Sequence, residues 1–181
     1  YTVAEGISRK IDGNIIMNVQ GNLEGTNRPD RPIARGIYLD ENSSNVIVTN
    51  NTVAHCSEAG YMIHRGKNNI IKNNTAFNNA SAMYFQNSFG SGIRDNQLNG
   101  NIFIAKSLSQ TSLNFASVAD DIPAFGTADN NYYARPVDDK NVFYTYSPAT
   151  GYKYRTLEEW QDLTGQDLNS KKSPVLVTDT A

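Results

Sequence analysis

The chain has 181 residues and a formal net charge of −2, a length that suits one ordinary domain or part of a longer repetitive one. It carries no basic stripe of the kind that nucleic acid requires, and no apolar run approaches the roughly 18 residues of a membrane span. We therefore expect neither a nucleic-acid partner nor a membrane span. One cysteine excludes an internal disulfide, and two histidines argue against a histidine-rich metal site, so we expect no metal and no other cofactor.

In chain order, the first predicted elements are two short strands at residues 6–9 and 14–17. A polar, proline-containing segment at residues 22–35 follows them and interrupts the pattern. We predict that this segment is an insertion that leaves the fold as a surface loop.

A repeat occupies the middle of the chain. Residues 46–52 (VIVTNNT) align with residues 69–75 (NIIKNNT) at an offset of 23 residues, and residues 92–97 (GIRDNQ) continue the series at an offset of 22. One short apolar strand precedes each block (GIYL, GYMI and MYF) and another follows it (TVAH, TAFN and QLNG). A period of about 22–24 residues with three short strands is too short for a propeller blade and lacks the long amphipathic runs of helical repeats. It matches one coil of a right-handed parallel β-helix, in which equivalent residues stack about 4.8 Å apart.

Stacking assigns the repeated residues to columns. Three interior columns are predicted: Val48, Ile71 and Ile93; Ile37, Tyr61 and Met83; and Leu39, Ile63 and Phe85. Asn51, Asn74 and Asn96 are predicted to form an asparagine ladder inside a turn. Residues 101–106 are predicted to begin a fourth strand of the first strand series, the one that contains GIYL.

The composition changes at residue 127, where tyrosine-rich strands begin. A short helix follows, with Thr156 and Glu159 as a capping box and Gly165 as its end. Trp160 and Leu163 are predicted to plug the open end of the β-helix core. We expect one domain, with β-helix coils at 1–126 and C-terminal strands and a capping helix at 127–181. No matching cap is visible at the start, so we expect an N-terminal remainder of the same β-helix as a partner.

Residues 36–56 (GIYLDENSSNVIVTNNTVAHC) and 60–79 (GYMIHRGKNNIIKNNTAFNN) resemble the parallel β-helix repeats of bacterial carbohydrate-active enzymes of the pectate-lyase-like superfamily. The closing DNNYYARP and TLEEWQDLTGQDLNS look like a C-terminal segment of large secreted β-helix glycosidases. The resemblance implies an extracellular or periplasmic protein that binds a polysaccharide or oligosaccharide in a groove along the first parallel sheet.

Strand alternation identifies the side chains on that face. If Ile37 and Leu39 face inward, Tyr38 and Asp40 face outward. In the same way Met62, His64, Tyr84 and Gln86 are predicted to face outward, with Glu41 and Arg65 at the strand ends. We select Asp40 and His64 as candidate catalytic residues. The candidate substrate-binding residues are Tyr38, Glu41, Arg65, Tyr84, Gln86, Glu24, Asp30 and Arg35, the last three on the inserted loop.

Three functions remain open. The first is glycoside hydrolysis, which needs two carboxyl groups: Asp40 with Glu41, or, because neighbours along a strand face opposite ways, Asp40 with Glu24 or Asp30. The second is a non-catalytic glycan-binding or adhesin-type β-helix. The third is a uronate lyase or epimerase using Arg65, His64 and Lys10. An ordinary solvated surface column explains the same residues without function. Two acidic pairs, at 120–121 and 138–139, suggest calcium as a cofactor, but neither pair has the ligand spacing of a calcium site.

Overall fold

The computed structural model describes residues 9–25, 27, 30–89 and 92–175. The described strands are β1 (Arg9–Asp12), β2 (Ile15–Met17), β3 (Ile37–Leu39), β4 (Val46–Thr49), β5 (Thr52–Ala54), β6 (Ala59–His64), β7 (Ile70–Lys72), β8 (Thr75–Phe77), β9 (Ser81–Asn87), β10 (Asn96–Asn99), β11 (Ile102–Ile104), β12 (Thr111–Ser117), β13 (Gly126–Asp129), β14 (Tyr132–Ala134), β15 (Phe143–Ser147), β16 (Gly151–Arg155) and β17 (Lys171–Lys172). A short 3₁₀ turn (Ile122–Ala124) and one α-helix, α1 (Leu157–Thr164), complete these elements.

The described strands form three sheets that the chain visits in rotation. Sheet A orders β1, β4, β7, β10 and β13; sheet B orders β2, β5, β8, β11, β14 and β17; sheet C orders β3, β6, β9, β12, β15 and β16. Neighbouring strands pair in parallel except β15 and β16, which form an antiparallel hairpin. This is a right-handed parallel β-helix, as the repeat predicts. Among the described residues, no helix is long and apolar enough to cross a membrane.

The predicted interior columns of sheet C are confirmed. Tyr61 pairs in register with Ile37 and Met83, and Ile63 pairs with Leu39 and Phe85. All six side chains are buried in the core. Because alternate residues of a strand face one way, the same register fixes which side chains face outward.

The predicted alignment of the third coil is wrong by five residues. Leu98, and not Ile93, pairs with Ile71. Residues 97–99 therefore extend sheet A, and strand β11 extends sheet B rather than the first strand series. The cause is the segment between β9 and β10, which lengthens this coil to 27 residues, as the spacing of Asn74 and Asn101 shows. Ile93 is nevertheless fully buried.

An asparagine ladder runs through the turns between sheets A and B. Its members are Asn14, Asn51, Asn74, Asn101 and Asn131, and each donates its side-chain amide to the Oδ1 of the next at 2.9–3.1 Å. The predicted third member, Asn96, lies instead at the turn before sheet A, where its Oδ1 accepts the Asn69 N–H at 3.1 Å. The tripeptide DNQ resembles the NN turns, but it occupies a different corner.

The residue before each ladder asparagine has a left-handed backbone. Asn50 and Asn73 both have φ of 56°, and Gly100 has φ of 66°. Glycine and asparagine adopt this conformation at the lowest cost, which explains the repeated NN and GN dipeptides. The sharp turn then aims the following asparagine into the interior, where its amide satisfies backbone groups of the neighbouring coils.

The ladder ends at a buried aspartate. Asp167 accepts hydrogen bonds from Asn131 Nδ2 at 3.0 Å, from the Tyr133 hydroxyl at 2.9 Å and from Trp160 Nε1 at 3.0 Å. The Trp160 ring stacks on Phe115, with 4.6 Å between centroids, so this side chain covers the end of the core as predicted.

The capping helix α1 begins and ends as predicted. The Thr156–Glu159 capping box is present, and Gly165 has φ of 67°. The prediction for Leu163 is wrong, because its side chain is 47% exposed. Leu157 is buried with Trp160, since residues three apart share a helix face.

We predict that Asn74→Ala lowers the free energy of unfolding by about 2–3 kcal/mol, because it leaves the buried Asn51 N–H without its acceptor. Urea unfolding measures the change. Asn99→Ala, on the outer side of β10, is the control and is expected to change stability by less than about 0.5 kcal/mol. Equal losses in the two variants would contradict a structural role for the ladder.

A second prediction concerns the C-terminal cap. Asp167→Ala removes the acceptor of three buried donors and is expected to cost about 3 kcal/mol, with a lower midpoint of thermal unfolding. The exposed Asp162→Ala on helix α1 serves as control. If Asp167→Ala unfolds at the control's temperature, the cap is not held in this way.

Candidate functional site

The outward side chains of sheet C form one continuous surface, which we call the sheet-C face. Its first row consists of Tyr38, Met62, Tyr84, Asn114, Tyr144 and Tyr154, and its second row contains His64, Gln86, Ala116, Tyr146 and Tyr152. Six strands at about 4.8 Å spacing make the face about 24 Å long. Met62 lies in the predicted row, but its side chain is 1% exposed and offers little contact surface.

Asp40 lies directly after β3, at one end of the face. Its Oδ1 accepts hydrogen bonds from the Tyr38 hydroxyl at 2.5 Å and from the Glu41 N–H at 2.8 Å, and it lies 2.9 Å from His64 Nδ1. Glu41 Oε1 is 3.9 Å from the same ring nitrogen, so both carboxylates reach His64. The expected opposite orientation of Asp40 and Glu41 is wrong because β3 ends at Leu39, and side chains in a turn no longer alternate.

His64 is the centre of a hydrogen-bonded chain of side chains. It is the last residue of β6, and its side chain is 13% exposed. Its Nδ1 faces Asp40, and its Nε2 lies 2.7 Å from the Ser88 hydroxyl. Ser88 was not among the predicted site residues, although its spacing is a sequence signal: residues 40, 64 and 88 are separated by 24 and again by 24 positions.

An ion pair flanks this centre. Arg65 Nη1 donates to Glu41 Oε2 at 3.2 Å. The Arg65 guanidinium also lies 5.4 Å from the ring centroid of Phe89, a side chain that is 68% exposed. Arg65 and Glu41 thus lie beside His64, as predicted, and Phe89 adds an apolar surface that the sequence did not indicate.

The protonation states of Asp40 and Tyr38 follow from their contact. The Tyr38 hydrogen bond, and then the His64 hydrogen bond, hold the pKa of the Asp40 carboxyl below its usual range. Burial and the Asp40 carboxylate raise the pKa of Tyr38 to about 12. At neutral pH Asp40 is therefore ionised and Tyr38 keeps its proton.

One predicted loop residue reaches the face. The Arg35 guanidinium lies 4.5 Å from the Tyr38 ring centroid, and Arg35 Nε is 2.7 Å from Glu58 Oε2. Burial, with the negative charge of Glu58 second, raises the pKa of Tyr84 to about 12. Arg35, Tyr38 and Tyr84 thus belong to one surface.

Of the other predicted residues, one lies on the sheet-C face and the rest lie elsewhere. Gln86 lies on the face, in register with His64. Within the described residues, Asp40 and Glu41 are the carboxylates beside His64, and the exposed Glu24 and Asp30 do not join them. Lys10 lies on β1 in sheet A, where its Nζ is 2.8 Å from Asp12, so it is not part of the sheet-C face.

Asp40, Glu41 and His64 also resemble a metal-ligand set. One donor atom from each lies within 4.8 Å of the others. Carboxylate and imidazole are ligands that zinc accepts, but the Tyr38 hydroxyl and Arg65 compete for these oxygens.

Three of the four carboxylates in the acidic pairs considered for calcium contact basic side chains. Asp121 lies 2.6 Å from Arg94, Asp138 lies 3.0 Å from Arg135 Nε, and Asp139 lies 3.1 Å from Lys172.

A tyrosine cluster occupies the far end of the face. Tyr144 and Tyr154 have ring centroids 5.0 Å apart, and Tyr146 and Tyr152 have theirs 4.5 Å apart. Tyr152 and Tyr154 are 67% and 56% exposed. The alternation Y-T-Y and Y-K-Y on two strands of a hairpin is the sequence signal for this cluster, because alternate residues share a face.

We predict that Tyr38→Phe raises the pKa of Asp40 towards its ordinary value of about 3.9, because the hydroxyl is the main stabiliser of the carboxylate. NMR titration of side-chain carboxyl carbons measures it, with Tyr132→Phe on sheet B as control. A depressed pKa stabilises the fold above the ordinary value, and that stabilisation is lost as the pH falls through the folded-state pKa. An unchanged titration in Tyr38→Phe would contradict the hydrogen-bond assignment.

Part of the chain matches a known protein family. A family model described as "Right handed beta helix region" matches residues 5–117, more than half of the chain. Searches of curated proteins and of solved structures found no match. The matched segment contains Asp40, His64 and Ser88, which lie at the ends of strands β3, β6 and β9. The chain therefore belongs to the right-handed β-helix family.

Proposed function

We propose that the protein binds an extended polysaccharide along the sheet-C face and hydrolyses a bond of this substrate at the centre formed by His64 and Asp40. The observation that carries the proposal is that a hydrogen-bonded imidazole and an exposed tyrosine cluster lie on the same face, with His64 and Tyr152 about 19 Å apart along it. A solvated surface column needs neither feature. The proposal places the protein outside the cell or in the periplasm.

The binding part of the proposal rests on the composition of the face. The rings of Tyr152 and Tyr154 are accessible, and aromatic rings offer large rigid contact surfaces with a polar end. Gln86 and Asn114 lie between the tyrosines and His64, and their amides both donate and accept hydrogen bonds. Apolar rings with interspersed amides suit sugar rings, which have C–H faces and hydroxyl rims.

The catalytic part rests on His64. Glycoside hydrolysis by a carboxyl pair requires one protonated carboxyl group. Asp40 is held ionised, and Glu41, the other carboxylate at the centre, forms an ion pair with Arg65. His64 has Nδ1 fixed by Asp40 and Nε2 towards the Ser88 hydroxyl, which is the arrangement of a general base. We therefore assign the base to His64 and the orienting role to Asp40.

A non-catalytic glycan-binding protein is the second candidate. The tyrosine cluster favours it, because those rings would bind a glycan whether or not His64 performs chemistry. A uronate lyase or epimerase is less well supported, since Lys10 lies on another sheet and Arg65 is paired with Glu41.

We predict that Tyr152→Ala and Tyr154→Ala each weaken glycan binding about tenfold, because each removes a stacking surface worth about 1.4 kcal/mol. Affinity electrophoresis in gels containing xylan, polygalacturonate or alginate measures binding. Tyr132→Ala, an exposed tyrosine on sheet B, is the matched control and should bind as the parent protein does.

Turnover separates the two candidates. If the protein is a hydrolase, the His64→Ala variant is expected to bind the glycan as the parent protein does but to form no hydrolysis product. Binding without turnover in the parent protein would favour the binding module. Absence of binding, or equal weakening by Tyr132→Ala, would overturn the sheet-C face as the glycan site.

A further inference from the structure

We propose that Ser88, His64 and Asp40 act as nucleophile, base and orienting carboxylate, and that the bond cleaved is an ester. The substrate class is then a glycan with O-acyl substituents, from which the protein removes the acyl group. The glycan part of this inference rests on the proposed function, whereas the ester chemistry has its own test.

The three side chains have the required geometry. Ser88 Oγ lies 2.7 Å from His64 Nε2, and His64 Nδ1 lies 2.9 Å from Asp40 Oδ1. An ionised carboxylate only accepts hydrogen bonds, so the ring proton belongs on Nδ1, and Nε2 is left to accept the Ser88 hydroxyl proton. Nucleophile to base and base to carboxylate are the two hydrogen bonds that define such a set on any fold.

The β-helix holds these side chains by its coil register. Asp40, His64 and Ser88 come from three successive coils at spacings of 24 residues, at the same end of strands β3, β6 and β9. The Tyr38 hydroxyl and the Glu41 N–H fix the oxygen of Asp40 that faces the ring. The base thus has a fixed carboxylate on its Nδ1 side and the Ser88 hydroxyl on its Nε2 side.

The surroundings suit an ester on a glycan. Ser88 is half-buried at the rim of the face, and its neighbour Phe89 is 68% exposed. Phe89 offers an apolar wall for an acyl group, and the Arg65 guanidinium over its ring supports that wall. The glycan would occupy the sheet-C face beside it, with a substituent directed at Ser88.

The reaction balances without a further reactant. Ser88 Oγ attacks the acyl carbonyl carbon while His64 Nε2 takes the hydroxyl proton. The bond from that carbon to the sugar oxygen breaks, and His64 returns the proton to the sugar oxygen, which leaves an acyl-Ser88. Water then attacks the acyl carbon and gives a proton to His64. The Ser88 oxygen leaves, recovers this proton and releases the carboxylic acid.

The test has two measurements on the full chain. A fluorophosphonate reagent is added to the parent protein, and the labelled residue is located by peptide mass spectrometry. This needs no variant and so does not depend on whether a variant folds. Hydrolysis of p-nitrophenyl acetate and acetate release from O-acetylated xylan are then compared in Ser88→Ala, His64→Ala and the control Ser109→Ala, an exposed serine away from the face.

We expect labelling at Ser88 and a loss of about a hundredfold or more in kcat/KM for both substrates in Ser88→Ala and His64→Ala, with the control unchanged. Labelling absent from Ser88, or a Ser88→Ala rate equal to that of the control, overturns the inference. If glycan affinity is retained in that case, the ester chemistry alone has failed. If Ser88 is labelled and p-nitrophenyl acetate is cleaved but no glycan binds, the proposed function has failed instead.

Discussion

The registered stacking of one coil on the next is the constraint from which the rest of the structure follows. The Asn74 amide shows how it is enforced: its Oδ1 accepts from Asn51 at 3.0 Å, and its Nδ2 donates to Asn101 at 3.1 Å. These are buried groups, so a slip of one residue would leave donors and acceptors unpaired. Parallel strand pairing alone would penalise a small shift less severely, since a β-ladder offers the same backbone groups at every second residue.

Because the register is fixed, the separation of two residues along the chain determines whether they are in contact. Residues separated by one coil length become neighbours about 4.8 Å apart. Coils are not all equal, however: Asn51 and Asn74 are 23 residues apart, whereas Asn101 and Asn131 are 30 apart. The extra residues lie in the connections and not in the strands, so the core remains regular while the rim of the face changes from coil to coil. Ser88 lies on such a rim.

Most of the architecture was predictable because the hydrophobic columns and the capping box are local or strictly periodic signals. The columns through Ile37 and Leu39 follow directly from alternation within GIYL and GYMI. The third coil was not predictable in the same way, because the DN of residues 95–96 imitates the NN of residues 73–74 and the connection before it has no fixed length. Leu163 shows a similar limit, since an eight-residue helix has too few turns to fix which face meets the core.

The candidate site was predictable in its strands and not in its turns. Strand alternation placed Tyr38, His64 and Gln86 on the outer face, and the structure has them there. Glu41 has φ of 20°, and this turn conformation brings its carboxylate to His64, which alternation could not foresee. The tyrosines of the hairpin were missed because β16 runs antiparallel, which a parallel repeat does not anticipate.

These parts combine into one account in which the coil register positions a base, its carboxylate and a serine, and the same register builds the aromatic surface that leads to them. The most direct test is a crystal structure of the Ser88→Ala variant with an O-acetylated xylo-oligosaccharide. The account predicts that the sugar chain lies along the sheet-C face towards Tyr152 and Tyr154, with an acetyl carbonyl carbon about 3–3.5 Å from the position of the missing hydroxyl. An oligosaccharide bound to another face, or an acetyl group directed away from His64, would contradict it.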